Sequence, residues 1–225
     1  MNFKKSLVNP KMTATMDSGF LGIFTGPMYS GKTTRLVHNL SRASDVGSKV
    51  LLINHSTDRE RDGQIFRSSG VVTTHNSSHQ KLSGEIDQVY ASKLSGICVD
   101  DYDVIGIDEC QFFDGLTPNG ESEFVETIRT WVINLKKEVY LAGLNGSWKL
   151  QNFGHLSQLF CLAGKIKMCK AVCHFCRTSD RKLIVDAAYT SKIGGNMSKD
   201  VEVEVGSSDK YLPTCLSCHR DHFKN

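Results

Sequence analysis

The chain predicts an α/β fold, an open parallel sheet followed by a small C-terminal β-rich lobe, and three observations carry that expectation. Short, uniformly apolar runs alternate with stretches of helical period; a glycine-rich loop joins the first run to the first helix; and the last quarter changes texture, with strand-like runs bracketed by two CxxC pairs. Uniformly apolar short runs suit strands buried on both faces, and alternation of strand with helix suits a parallel sheet covered by helices.

Residues 1–18 show no periodicity and read as a mobile leader. Residues 19–25 then predict a strand, and residues 32–43 a helix with Leu36, Val37 and Leu40 on one face. Further strands are expected at 49–54, 104–108 and 138–144. Between the last two, Phe124, Ile128, Trp131, Val132 and Leu135 recur at the spacing of a crossover helix. These elements make one domain over 19–165. Beyond it, strands at 167–172, 182–188 and 201–205 are expected in a lobe spanning 166–225.

Gly26-Pro-Met-Tyr-Ser-Gly31-Lys32-Thr33 satisfies GxxxxGK[ST], with a strand before it and a helix after it, the context a P-loop requires. Glycines let such a loop aim successive backbone N–H groups at phosphate oxygens, and the helix N-terminus adds its partial positive charge. Lys32 is placed to bridge the β- and γ-phosphates of ATP, and the Thr33 hydroxyl to hold Mg²⁺. The motif narrows the first domain to a P-loop nucleotide-binding domain, and the fold expected for it is RecA-like.

Val104-Ile-Gly-Ile-Asp108-Glu109 is an apolar strand ending in two carboxylates, the form in which a P-loop protein reaches the same metal from a neighbouring strand. Asp108 is expected on the metal side. Glu109 is then free to take a proton from the attacking nucleophile. His55, Asp58, Arg59 and Arg61 follow the second strand at the edge where α/β ligands bind, as phosphate contacts or as a solvated loop. Phe112, Phe113, Trp148 and Phe153 follow the third and fourth strands and are expected to wall a base pocket.

Cys173-His-Phe-Cys176 and Cys215-Leu-Ser-Cys218 each put two thiolates at one tight turn, and two such turns complete a tetrahedral Zn²⁺ site. Four sulfurs fill the coordination sphere, so this zinc is expected to be structural, clamping a lobe too small to fold on its own apolar core. His219 and His222 are expected to be solvated.

With 27 basic and 24 acidic residues the net charge is +3 and no basic tract appears, so no nucleic-acid partner is expected. The longest apolar runs fall short of the ~20 residues that cross a bilayer, and the leader has no apolar signal core. The chain therefore reads as cytoplasmic, with no membrane partner.

Gly26-Pro-Met-Tyr-Ser-Gly-Lys-Thr, Ile107-Asp-Glu-Cys-Gln-Phe-Phe113, Leu141-Ala-Gly-Leu-Asn-Gly146, Ala187-Ala-Tyr-Thr190, Asp209-Lys-Tyr211 and both CxxC pairs occur in one order. Over residues 19–218 that ordered set resembles the zinc-containing (type II) thymidine kinases of animals, bacteria and large DNA viruses. The resemblance implies ATP-dependent phosphorylation of the 5′-hydroxyl of thymidine to dTMP, with Mg²⁺, structural zinc and a homotetramer. It implies Glu109 as proton acceptor, and Gly26, Pro27, Met28, Tyr29, Ser30, Gly31, Lys32, Thr33, Asp108 and Gln111 around ATP and its metal. Asp58, Arg59 and Glu60 match a further nucleotide-contacting loop, the family's arginine being displaced here to Arg59 or Arg61. Met28, Phe112, Trp148 and Phe153 match the nucleoside side. Glu202, Val203, Glu204, Val205, Gly206 and Tyr211 match a lasso loop that closes over the base through backbone groups.

The chain departs from the family in three places. Trp148 stands where a phenylalanine is usual, Asn145 where an aspartate is common, and the link at 177–186 is longer than the family's few residues. Two readings compete with the first: the same chemistry on deoxyuridine as well as thymidine, and a P-loop ATPase whose zinc lobe binds nucleic acid or protein.

Overall fold

The computed structural model describes residues 18–57, 71–72, 80–81, 86–180, 182–193 and 210–223. The expectations for the leader, for Asp58, Arg59, Glu60 and Arg61, and for the strand at 201–205 with Gly206 lie outside the described residues.

Strands β1 (Phe20–Gly26), β2 (Val50–His55), β5 (Ile86–Ala91), β6 (Val104–Ile107), β7 (Glu138–Leu144) and β8 (Lys165–Met168) form one sheet in the order β5-β2-β6-β7-β1-β8, every pair parallel. Two short pieces, β3 (Val71–Val72) and β4 (Gln80–Lys81), pair antiparallel apart from it. β1, β2, β6 and β7 are the runs that read as uniformly apolar, and they form the interior of the sheet.

Helix α1 (Lys32–Asp45) covers one face, with Leu36 and Leu40 packed among Phe24, Leu52, Val104 and Ala142. Helix α2 (Glu123–Arg129) covers the other, with Phe124 and Ile128 against Ile23, Ile53, Ile105 and Leu141. Ser122 caps α2, its side-chain oxygen accepting the Val125 N–H at 3.4 Å. The apolar period continues past Arg129, but the backbone widens into a π-helical turn over Thr130–Asn134. That turn keeps Trp131 and Val132 buried and carries Leu135, expected on the same face, out to exposure.

Two strand expectations change. The run at 167–172 divides into β8, the edge of the main sheet beside β1, and β9 (Ala171–Val172) in the lobe. Most of 182–188 is not strand: only β10 (Asp186–Ala187) pairs there, with β9, and β11 (Tyr189–Lys192) follows it to pair with β12 (Tyr211–Thr214). Helices α3 (His174–Thr178) and α4 (Leu216–Phe223) complete the lobe. The long link folds back on the first CxxC turn, where Leu183 N–H donates to the Cys176 carbonyl at 3.0 Å. Among the described residues no helix is long and apolar enough to cross a membrane.

Candidate active site

The phosphate-binding loop leaves β1 at Gly26, whose φ is 153°. A Cβ there would stand 2.3 Å from the Cys169 carbonyl oxygen, so only glycine lets the loop pass β8's exit. Pro27 is buried and its carbonyl accepts from both Ser30 Oγ and Lys32 Nζ, each at 2.8 Å. Tyr29 is exposed at φ 62° and Gly31 at φ 75°, the two left-handed residues that curl the loop into α1. Burial pushes the Lys32 ammonium below its ordinary range, while the charges of Glu109 and Asp108 hold it up. An ammonium so placed is drawn toward further negative charge entering the loop.

β6 ends beside this loop. The Asp108 N–H still donates to Ile53 at 2.9 Å, extending the ladder, and its Oδ1 accepts the Thr33 hydroxyl at 3.1 Å and the Glu109 N–H at 2.9 Å. Its other oxygen, Oδ2, is buried with no hydrogen-bond partner among the described residues. Desolvation first, then the neighbouring Glu109 charge, raises the Asp108 carboxyl to about 7. An orphaned carboxylate oxygen beside the Thr33 hydroxyl is a set of hard donors that fits a small divalent cation such as Mg²⁺.

Glu109 takes the left-handed conformation at φ 48°, a cost of about 1–3 kcal/mol for a residue with a Cβ. The turn swings its half-buried carboxylate away from the strand direction of Asp108, giving the two adjacent acids different surroundings. Gln111 follows in a 3₁₀ turn (Cys110–Phe112) and is buried.

The structure brings Phe112 and Phe153 together, edge to face with ring centroids 5.7 Å apart, and sets His55 5.6 Å from Phe112. Phe113 is buried in the core, stacked on Phe124, and meets this group through the His55 ring, edge to face at 4.8 Å. Trp148 is buried, with the Lys149 and Lys192 ammonium groups 5.4 and 5.5 Å from its ring. Lys192 lies opposite Tyr211 across the β11–β12 pair, so the lobe reaches Trp148.

Two contacts absent from the sequence reading join the lobe to the first domain, one at the loop and one just past the end of β7. The Met28 N–H donates to Thr190 Oγ1 at 3.1 Å, and Asn145 Nδ2 donates to the Ala188 carbonyl at 3.1 Å. The second explains what the asparagine does here, since an aspartate in its place has no proton to give that carbonyl. Neither contact had a signal in the sequence beyond the positions of the two motifs.

The Sγ atoms of Cys173, Cys176, Cys215 and Cys218 all lie within 4.8 Å of one another. Cys176 stands 3.9 Å from Cys215 and 3.6 Å from Cys218. Sulfurs bound at ~2.3 Å to one tetrahedral ion sit about 3.8 Å apart, so the donor set and its spacing fit Zn²⁺. None of the four is in a disulfide. His219 corrects an expectation: it is buried, its Nδ1 2.7 Å from Ser191 Oγ, because α4 docks on β11. His222 packs its ring on Phe175, centroids 5.4 Å apart.

The sequence model of the thymidine kinase family matches residues 19–219. The chain is 32% identical over 203 residues to the thymidine kinase of Choristoneura biennis entomopoxvirus, covering 89% of this chain and 96% of that one. It is 32% identical over 206 residues to the fowlpox virus thymidine kinase, covering 90% and 98%, and 30% identical over 208 residues to thymidine kinase 1 of Dictyostelium discoideum, covering 92% and 81%. A P-loop facing two strand-end carboxylates, a four-cysteine lobe fastened to it and a family match across nearly the whole described chain agree: the chain belongs to the thymidine kinase family.

Proposed function

We propose that the protein transfers the γ-phosphoryl group of ATP to the 5′-hydroxyl of thymidine, giving dTMP. The observation that carries this reading is the 3.1 Å hydrogen bond from Thr33 to Asp108, which seats the strand-end acids against the phosphate-gripping loop, with Glu109 next in line. Lys32 exchanges the Pro27 carbonyl for phosphate oxygens. Thr33 and Asp108 would hold Mg²⁺, which supplies neutralisation of charge on the transferred group. Glu109 accepts the 5′-hydroxyl proton, and Asp58, Arg59 and Glu60 border the phosphates. Met28, Phe112, Phe153 and Trp148 wall the base, and Tyr211 with Glu202, Val203, Glu204, Val205 and Gly206 closes over it. Little covalent chemistry is asked of these groups; alignment and charge supply the rate.

Zinc at Cys173, Cys176, Cys215 and Cys218 is part of this reading, as is a cytoplasmic location, where thiols stay reduced. A homotetramer is part of it too. β8 supports association: Lys165, Ile166, Lys167 and Met168 are all exposed on an edge of the sheet open to a second copy. Light scattering on the purified chain measures the assembly.

The deciding experiment follows ATP consumption with thymidine, deoxyuridine, deoxycytidine and purine deoxynucleosides. Thymidine-dependent ADP release with dTMP as product is expected. ATP turnover independent of any nucleoside would instead favour an ATPase.

A further inference from the structure

We infer that Gln111 is a positioning residue that holds the Glu109 carboxylate in register with the end of β7, rather than a contact of ATP or its metal. Its side-chain amide is engaged at both ends: Nε2 donates to Glu109 Oε2 at 2.5 Å, and Oε1 accepts the Leu144 N–H at 3.0 Å. Chemistry fixes this orientation, because a carboxylate only accepts and a backbone N–H only donates. Flipping the amide would oppose like to like at both contacts.

The surroundings leave this side chain no alternative place. Gln111 is 1% exposed. A Cβ on Gly143 would stand 2.9 Å from Gln111 Oε1 and 2.5 Å from Cys110 Sγ, so β7 carries a glycine where the amide crosses it. The bridge thus runs from the strained turn at Glu109 to a strand paired on one side with β6 and on the other with β1, which feeds the phosphate-binding loop. Asn145, next after Leu144, extends the register: its N–H reaches the Gly26 carbonyl at 3.4 Å and its side chain the lobe at Ala188. Glu109 is consequently aimed by the same strand end that aligns the loop and the lobe. A base displaced by about an ångström forfeits much of the advantage of proximity, about a hundredfold in rate.

This inference rests on Glu109 as the proton acceptor, and the experiment separates the two claims. Gln111→Met keeps the length and volume without hydrogen bonds, and Gln111→Asn keeps the amide but is one methylene too short to span both partners. In the full-length protein each is expected to lower kcat by ~10–10², with KM for ATP and thymidine within about twofold of the parent. Glu109→Gln, assayed alongside, is expected to lose ~10²–10⁴. A parental kcat in both Gln111 variants with an inactive Glu109→Gln would overturn the positioning role alone. A raised KM for ATP at unchanged kcat would return Gln111 to the nucleotide, and a parental kcat in Glu109→Gln would remove the base and this inference together.

Discussion

The backbone N–H of Met28, third residue of the phosphate-binding loop, is held by the hydroxyl of Thr190 in the four-cysteine lobe at 3.1 Å. Loop and lobe are therefore fastened to each other through a contact that neither makes on its own. Thr190→Val keeps the shape and removes the acceptor, leaving a part-buried donor unpaired at about 1 kcal/mol or more. The expected result is a thymidine KM raised about fivefold, with Thr190→Ser restoring it. A parental KM in the valine variant would show that the contact does not set the lobe's position.

Asp108 makes stability depend on pH. Its carboxyl ordinarily titrates near 3.8 and here near 7, so the folded protein keeps a proton the unfolded chain has already released. The resulting destabilisation is absent below pH 4, grows between about 4 and 7, and is complete above 7. Asp108→Asn removes the charge, so the nucleotide-free variant should exceed the parent in stability by roughly 1–3 kcal/mol at pH 8 and lose that advantage toward pH 4. Its turnover should collapse, because an amide NH₂ takes one oxygen's place. Denaturant melts at both pH values test this; a stability difference that ignores pH would contradict it.

Removing one cysteine should dismantle the lobe. Cys215→Ser leaves three thiolates for a four-coordinate ion, and metal analysis of freshly purified protein should fall from about one zinc per chain to well below half. Thymidine affinity should fall with it, while ATP analogue binding at the P-loop persists. A zinc-free parent, or a fully active Cys173→Ser/Cys215→Ser double variant, would end the structural-zinc claim.

Substitution separates the base-wall role proposed for Trp148 from its packing in the core. Trp148→Phe keeps a ring for the Lys149 and Lys192 ammonium groups and should be tolerated. Trp148→Ala should raise the thymidine KM and cost about 3–5 kcal/mol of stability from the cavity. Stability lost at an unchanged KM would assign the residue to packing alone.

What the sequence conveyed follows the physics of each element. The interior strands β1, β2, β6 and β7 were legible because burial on both faces demands uniformly apolar runs, and the P-loop because its glycines and Lys-Thr allow few alternatives. β5 was not, since an edge strand exposed at Asp87 and half-buried elsewhere need not be apolar. The π-turn at 130–134 escaped because one inserted residue alters which side of a helix later residues face without altering composition. His219 misled because a polar residue near the terminus carries no mark of burial; its cover comes from Ser191, far away in sequence. The engagement of Gln111 likewise depends on Leu144, a backbone group that no side-chain pattern reveals.

The strand order has a consequence for how the chain is made. β1 leaves the ribosome before the other strands of its sheet, yet its neighbours are β7 and β8: Phe20 pairs with Glu138 and Gly22 with Lys165. At synthesis rates of ~5–20 residues per second, β1 with its buried apolar side chains waits several seconds for a partner. During that interval the nascent segment can pair only wrongly, and such distant parallel contacts form slowly even in the finished chain. Chain release without β7 would leave β1 a solitary hydrophobic strand, which is a substrate for chaperones rather than half an enzyme.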